Sequence, residues 1–148
     1  MIMDDNLAAM LADTARLMRR AFDARARQIG VTRPQWRVLS VLHRFEGINQ
    51  GGLAEMLEVE PITVCRMVDR LQEADLVERR LDPEDRRSRL LFLTPKAEAL
   101  LGQLRPLGEE MLEEALSGVD DKARHILLTS LSQMRRNLAR KPAPSPDI

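Results

Sequence analysis

The sequence predicts a mainly helical fold of the α+β class, in which one small β-hairpin interrupts a series of helices. Apolar residues recur at helical spacing along most of the chain, for example in residues 53–59. Aromatic residues make up only 3% of the 148 residues, and the apolar content is mainly Leu, Ala, Met and Val, which favours helices over a sandwich or barrel. Residues 76–93 differ, because two short strand-like runs flank a turn there.

The first two helices are predicted within residues 7–45. The first runs from about Leu7 to Gln28, after a disordered start at residues 1–6, and Gly30 is typical of a helix end. Thr32, followed three residues later by Gln35, is the pattern of a capping box and opens the second helix. Apolar residues lie on nearly all sides of this second helix, which predicts that it is central in the fold.

Two further short helices are predicted between Gln50 and Ala74. Pro61 suits the first turn of the second one, because its missing N–H would have no partner within the helix there. The apolar residues of this second helix share the side that should face the core: Val64, Met67, Val68 and Leu71. At about 100° per residue, polar residues fall on the opposite side: Thr63, Arg66, Arg70 and Glu73. Such an exposed face with two guanidinium groups can read DNA.

The hairpin is predicted from Leu76 to Leu93, with its turn at Asp82-Pro83-Glu84-Asp85. Three arginines follow the turn with no carboxylate between them: Arg86, Arg87 and Arg89. The order of helix, turn, helix and basic hairpin is that of a winged helix-turn-helix, in which the hairpin is called the wing.

Long helices should flank this winged unit. Thr94 and Pro95 read as the cap and first residue of a long helix with a buried leucine-rich stripe, bent near Pro106 and Gly108. That stripe is Leu100, Leu101, Leu104, Leu107, Met111, Leu112 and Leu116. A last helix follows the break at residues 117–120. The first and last helices carry apolar stripes wider than the winged unit can cover, which predicts a homodimer over a monomer that folds both helices back on itself.

These patterns give one domain over residues 1–148. Within it, residues 31–95 form the winged helix-turn-helix DNA-binding unit, residues 7–28 and 96–139 form a helical dimerisation region, and residues 140–148 form a disordered tail.

Several sequence motifs of the chain are similar to those of the MarR family of dimeric bacterial transcription regulators. The resemblance is carried in register by Asp69-Arg70-Leu71, Leu76-Val77-Glu78-Arg79 and, above all, the wing motif Asp82-Pro83-Glu84-Asp85-Arg86-Arg87. Two positions depart from the family pattern, since Asp75 and Ala97 stand where glycine is common. The resemblance implies a winged helix-turn-helix with flanking dimerisation helices.

The helix that begins at Pro61 is the predicted recognition helix. In a dimer, its two copies would enter successive major grooves, so the predicted target is a near-palindromic operator with half-sites about 10 base pairs apart. Arg66 is the predicted donor of a bidentate pair of hydrogen bonds to guanine, and Thr63 a contact to a thymine methyl group or a phosphate. Arg70 is assigned to the DNA backbone. The remaining predicted contacts are apolar at Pro61 and Ile62, and to phosphate at Asn49 and Gln50.

In the wing, Arg87 is predicted to enter the minor groove, within a basic segment that also includes Arg89. The family resemblance implies that Asp69 and Asp85 hold Arg86 by ion pairs and thereby aim Arg87. The assignment can also be swapped, with Arg86 in the minor groove and Arg87 held by the aspartates.

The resemblance also implies a small aromatic or phenolic effector that relieves repression, bound between the helical region and the winged unit. Trp36 would supply an apolar wall and Arg19 a partner for a carboxylate, against the simpler readings of a core tryptophan and a surface arginine. The single cysteine, Cys65, leaves open a redox-sensing regulator, against the reading of a packed and unreactive thiol.

Composition and motifs argue against several other classes of function. Lys plus Arg and Asp plus Glu both number 23, and this zero net charge argues against indiscriminate coating of nucleic acid. No metal-ligand spacing, phosphate-binding loop or nucleophile with a base predicts an enzyme, a metal site or a cofactor. Without a signal peptide or long apolar run, the expected location is cytoplasmic and not membrane-bound. A winged-helix adaptor that binds protein instead of DNA is the alternative function.

Overall fold

The computed structural model describes residues 2–139, and the surroundings of side chains from residue 6 onward. The described residues form six helices and one two-stranded sheet: α1 (Ile2–Gln28), α2 (Arg33–Arg44), α3 (Gln50–Leu57), α4 (Pro61–Glu73), β1 (Val77–Leu81), β2 (Arg89–Leu93), α5 (Pro95–Ala115) and α6 (Asp121–Ala139). This order confirms the predicted fold class. The tail predicted to be disordered, residues 140–148, lies outside the described residues.

The start of the first helix differs from the prediction. The helix α1 begins at Ile2, not near Leu7, so the segment predicted to be disordered is helical from its second residue. Residues 2–6 contain no proline or glycine to stop a helix, and the apolar stripe beginning at Leu7 was therefore a poor marker of the true start.

The predicted helix signals are present at the other ends. Thr32 caps α2 in a complete capping box: its side chain accepts from the Gln35 amide, and the Gln35 side chain accepts from the Thr32 amide. Pro61 is the first residue of α4, which keeps α3 and α4 separate. Gly30 and Gly118, which follow α1 and α5, have positive φ angles of 79° and 83°.

A single apolar cluster joins α2, α3, α4 and the sheet. Val38, Leu39 and Leu42 of α2 are fully buried in it, as are Leu53 of α3 and Leu91 of β2. The prediction that α2 is a central helix agrees with this burial. Helix α4 reaches the same cluster through Val64, Val68 and Leu71.

The sheet is an antiparallel hairpin whose register runs from Val77 opposite Leu93 to Leu81 opposite Arg89. A short segment before α3 extends it, because Leu91 donates to the Ile48 carbonyl at 2.9 Å and accepts from the Gly47 amide at 2.9 Å. Sequence reasoning did not predict this third segment. It fixes the start of α3 against the wing.

Helix α5 is less buried than predicted. Its buried residues are Ala97 and Leu104, whereas Leu112 is exposed and the remaining leucines of the predicted stripe are only partly covered. Pro106 lies inside this helix without ending it. The described residues fall into two compact units, which divide between Leu112 and Glu113. Helix α6, in the second unit, buries none of its residues.

Among the described residues, no helix is both long and apolar enough to cross a membrane.

Candidate nucleic-acid interface

The outer face of α4 is the first part of the candidate interface. Thr63, Arg66 and Arg70 are exposed, while the opposite side of the helix carries buried Val64 and Val68. Within the described residues, the guanidinium groups of Arg66 and Arg70 make no hydrogen bond or ion pair. Both groups can therefore donate all of their N–H bonds to a ligand.

The start of α4 adds an apolar element to this face. Pro61 and Ile62 are both exposed, and 61% of Ile62 is accessible to solvent. No side chain caps α4 with a hydrogen bond, since the residue before it, Glu60, makes none. The first N–H groups of α4 are thus open to an anionic partner.

Asn49 and Gln50 at the start of α3 both have their side-chain oxygens engaged inside the protein. The Asn49 side chain is the N-cap of α3 and accepts from the Gly52 amide at 2.8 Å. The Gln50 oxygen accepts from Nε of Arg79 at 2.8 Å. The amide nitrogens of both residues remain as donors to an outside group.

The wing loop is shaped by aspartate side chains that cap backbone amides. Asp82 accepts from the Glu84 amide at 2.9 Å, and Asp85 accepts from the Arg87 amide at 3.0 Å. Arg89 turns back onto the loop, where it donates to the carbonyls of Arg86 and Ser88. Arg86 and Arg87 are exposed at the tip, and their guanidinium groups have no partner within the described residues.

The predicted ion pairs of Arg86 are wrong. Asp69 pairs instead with Arg79, at 2.7 Å, and Asp85 bonds the Arg87 backbone in place of the Arg86 side chain. The reason is that the two arginines lie in different parts of the hairpin. Arg79 lies on the strand β1 that passes beside α4, while Arg86 lies in the exposed turn beyond the end of the strand.

Arg79 is the residue that sequence reasoning missed. Its guanidinium also donates to the Gln72 side-chain oxygen at 2.7 Å and to the Cys65 carbonyl at 3.3 Å. Only 19% of the Arg79 side chain is exposed. A signal existed in the sequence, because alternation along β1 puts Arg79 on the same face as the buried Val77.

Arg19 and Trp36, the predicted effector residues, line one crevice of about 410 Å³ together with Met18, Phe22, Ser40 and Met111. Trp36 is also packed, with its ring edge-on to that of Phe22 at 4.9 Å between centroids. Its Nε1 donates to Asp23 at 2.6 Å. The crevice is therefore bordered by a fixed aromatic wall and an exposed arginine.

Asp23 lies behind this wall and is only 13% exposed. Burial raises the pKa of its carboxyl group, but the hydrogen bonds from Arg33 and Trp36 and the positive charges of Arg33 and Arg27 outweigh burial and hold the pKa below its usual value. Asp23 is therefore a carboxylate at neutral pH and fixes the orientation of the Trp36 ring.

Cys65 is partly buried on α4. No group of three or more His, Cys, Asp or Glu residues in the described part of the chain is arranged to hold a metal ion.

Comparison with known proteins identifies the fold. A protein-family model described as MarR family matches residues 29–88. The chain is 30% identical to the transcriptional regulator PA3341, with a TM-score of 0.78 over 91% of this chain and 99% of that one. It is 28% identical to a MarR transcriptional regulator from Methanosarcina mazei Go1, with a TM-score of 0.80 over 90% and 96% of the two chains.

A mutant MarR from E. coli, solved in complex with operator DNA, shares the fold at 24% identity, with a TM-score of 0.73 over 87% of this chain and 93% of that one. The family match, the relative at 30% identity and the helix, turn, helix and wing order agree with one another. The chain belongs to the MarR family of winged helix-turn-helix transcription regulators.

Proposed function

We propose that this protein is a sequence-specific DNA-binding regulator that binds a near-palindromic operator as a homodimer. The observation that carries the proposal is the exposed pair Arg66 and Arg70 on α4, beside a wing whose Arg86 and Arg87 are also exposed and unpaired within the described residues. Guanidinium groups that have no internal partner keep their positive charge and N–H donors available, and such groups attract an anionic partner such as DNA. The related MarR that was solved with operator DNA supports the same assignment.

Each group takes a role from its chemistry. Arg66, in the middle of the exposed face of α4, would bond guanine O6 and N7, which discriminates between bases by about 1–3 kcal/mol. Arg70 and the amide nitrogens of Asn49 and Gln50 would donate to phosphates. Ile62 and Thr63 would contact thymine methyl groups, and Arg87 would enter the minor groove.

The partner that completes the operator-binding form is a second copy of the chain. In α1, Leu7, Met10 and Leu17 are 53%, 58% and 54% exposed, and α6 exposes a row of leucines. Such apolar surface in one chain is typical of an interface. Two copies related by a twofold axis would present their α4 helices about 34 Å apart, one turn of the DNA helix.

For the effector, we propose that the crevice at Arg19 and Trp36 takes a small aromatic or phenolic anion whose binding lowers operator affinity and relieves repression. The ring would lie against Trp36, and the carboxylate would pair with Arg19. An effector can shift the DNA-binding equilibrium only by its differential affinity for the two states. The test is therefore operator affinity with and without hydroxybenzoate, in the wild type and in Arg19→Ala.

Selection from random duplex DNA, followed by titration of the selected operator, tests the DNA assignment. Arg66→Ala should relax base preference at one position of each half-site and weaken operator binding by about 10-fold or more. The matched variant Arg66→Lys keeps the charge but loses the bidentate geometry, so it should retain affinity for non-specific DNA while losing the base preference.

Arg87→Ala should act differently, because a minor-groove arginine works mainly through charge and groove width. Binding should weaken on all sequences, and the slope of log K against log salt should become shallower by about one unit per removed contact. No binding to any duplex at low salt would contradict the proposal and favour an adaptor that binds protein.

A further inference from the structure

We propose that Arg79 is a positioning residue that determines operator specificity without contacting DNA, by fixing α3, α4 and the wing in one geometry. The inference rests on the proposed DNA-binding function and deepens it. It assigns the discrimination between operator and other DNA partly to a residue behind the interface.

The contacts of Arg79 span all three elements. From β1, its guanidinium donates to Gln50 at the start of α3 and to Cys65, Asp69 and Gln72 along α4. These partners are separated in sequence by up to 29 residues from Arg79. Four hydrogen bonds from one planar group constrain both the distance and the angle between the strand and the two helices.

The same group orients two side-chain amides. A guanidinium only donates, so the atoms of Gln50 and Gln72 that face it must be their carbonyl oxygens. The amide N–H groups of both residues are consequently turned away from Arg79. For Gln50 this leaves a donor at the start of α3, the position proposed to bind phosphate.

Arg79 should contribute only modestly to the free energy of unfolding. Its loss should therefore affect the positions of the elements more than their folding. Asp69, its one charged partner among the residues that the structure describes, is 54% exposed and can be rehydrated when the pair is lost. Gln72 is exposed as well. Loss of the guanidinium therefore releases the relative position of folded elements more than it unfolds them.

Specificity depends on that position because an operator engages α4 and the wing at once. When the two are held rigidly, binding of one raises the effective concentration of the other at its groove. Non-specific binding relies on charge and tolerates a looser arrangement. Release of Arg79 should thus weaken operator binding selectively.

The chain offers a matched control in the next residue. Arg80 lies on the same strand but faces the opposite side of the hairpin, where it stacks over Phe92 at 3.9 Å and pairs with Glu78. Arg79→Ala and Arg80→Ala remove the same charge from adjacent positions. Only the first removes the link between α3, α4 and the wing.

The experiment measures the affinity of the full chain for two duplexes of equal length, the operator selected by the wild type and a scrambled sequence. Arg79→Ala should lose about 10-fold or more on the operator and less than about 2-fold on the scrambled duplex. Arg80→Ala should change the ratio of the two affinities by less than about 2-fold. Arg79→Lys keeps the charge but not the planar fork, and should recover only part of the operator affinity.

Hydrogen exchange without DNA gives a second readout. Arg79→Ala, or Arg79→Lys if the alanine variant does not fold, should speed amide exchange in β1 and the second half of α4, while Arg80→Ala should not. Unchanged exchange would overturn the inference. Equal losses on both duplexes would also overturn it, because they would mean that Arg79 binds phosphate directly.

The two proposals fail in different ways. If the wild type selects no sequence, the proposed DNA-binding function fails and the specificity role fails with it. If the wild type selects an operator that Arg79→Ala binds equally well, only the role of Arg79 is overturned.

Discussion

At the scale of single residues, what an arginine does in this chain is set by the acceptors around it. Arg79 meets four acceptors and is fixed inside the winged unit, and Arg89 meets two loop carbonyls. Arg66 and Arg87 meet none within the described residues. Arginine is thus a structural link at the first two positions and a candidate for DNA binding at the other two. The exposure and hydrogen-bond partners of an arginine therefore say more about its role than its residue type does.

In the described part of the chain, two residues other than glycine have a backbone in the left-handed region that glycine prefers. Glu58, at the C-cap of α3, has φ 54°, and Asp75, between α4 and β1, has φ 59°. Because aspartate tolerates this region better than glutamate does, Glu58→Gly should stabilise the protein by about 1 kcal/mol and Asp75→Gly by less. Urea unfolding with an unchanged m-value measures both. A gain at Asp75 larger than that at Glu58 would contradict this ranking.

Asp23 should make stability depend on pH in the acid range. Its folded pKa lies below the ordinary 3.8, so its contribution is complete above about pH 3.8 and is lost as pH falls through the folded value. At pH 7, Asp23→Asn should cost about 1–3 kcal/mol, because it weakens the bonds from Arg33 and Trp36. The difference from the wild type should shrink below pH 3.8.

Asp13 supplies the control for that measurement. Its pair with Arg16 is long, at 3.7 Å, and both side chains are more than half exposed. Asp13→Asn should therefore cost less than about 0.5 kcal/mol at pH 7 in the same unfolding experiment. A gap for Asp23→Asn that stays constant from pH 7 to pH 3 would show that the carboxylate charge of Asp23 does not contribute.

At the scale of elements, local patterns were enough to predict most helices and the wing. The period of α4 alone places Val64 and Val68 inside and Arg66 outside, because a helix has only one geometry for a given spacing. The partners of Asp69 could not be read in this way. Its bond to Arg79 joins a helix to a strand ten residues later, and the choice between Arg79 and Arg86 depends on how the hairpin packs beside α4.

The extent of exposure was harder to predict than the elements themselves. Leu112 belongs to a helical stripe that looks like core, yet it is 43% exposed. Periodicity shows which side of a helix is apolar, but it does not show whether the cover comes from the same chain or from a second one.

The wing loop gives a prediction that separates two roles of Asp85. If Asp85 acts by accepting from the Arg87 amide, only the oxygen matters, and Asp85→Asn should bind the operator within about 2-fold of the wild type. Asp85→Ala removes the acceptor, so it should weaken operator binding by about 5-fold or more with less than about 1 kcal/mol lost in stability. Fluorescence anisotropy and urea unfolding measure the two effects.

An equal loss of operator affinity in Asp85→Asn and Asp85→Ala would mean that the charge of Asp85 matters, as in the ion pair with Arg86 that the family resemblance implied. The matched position is Asp82, whose side chain accepts from the Glu84 amide earlier in the same loop. Asp82→Asn should likewise be neutral, since it keeps the accepting oxygen.

At the scale of the whole molecule, the exposed apolar rows on α1 and α6 support the proposal that a second copy of the chain belongs to the DNA-binding unit. A single copy offers one α4 and one wing, so its contacts with phosphate are half those of a dimer. Because the salt dependence of binding grows with the number of phosphates neutralised, the oligomeric state can be read from the DNA-binding data as well as from sedimentation.

Leu131→Glu tests this assembly. Leu131 lies on the apolar row of α6 with Leu127 and Met134, and it is 39% exposed in one chain. A carboxylate there would be buried without a partner in a dimer, so we expect a monomer in sedimentation at micromolar concentration, with unchanged helix content. Operator affinity should fall by about 100-fold, and the salt slope should be about half that of the wild type.

Gln133→Glu adds the same charge roughly 200° around the helix and should remain dimeric. A Leu131→Glu chain that sediments as a dimer, or a monomeric wild type, would contradict the proposed assembly.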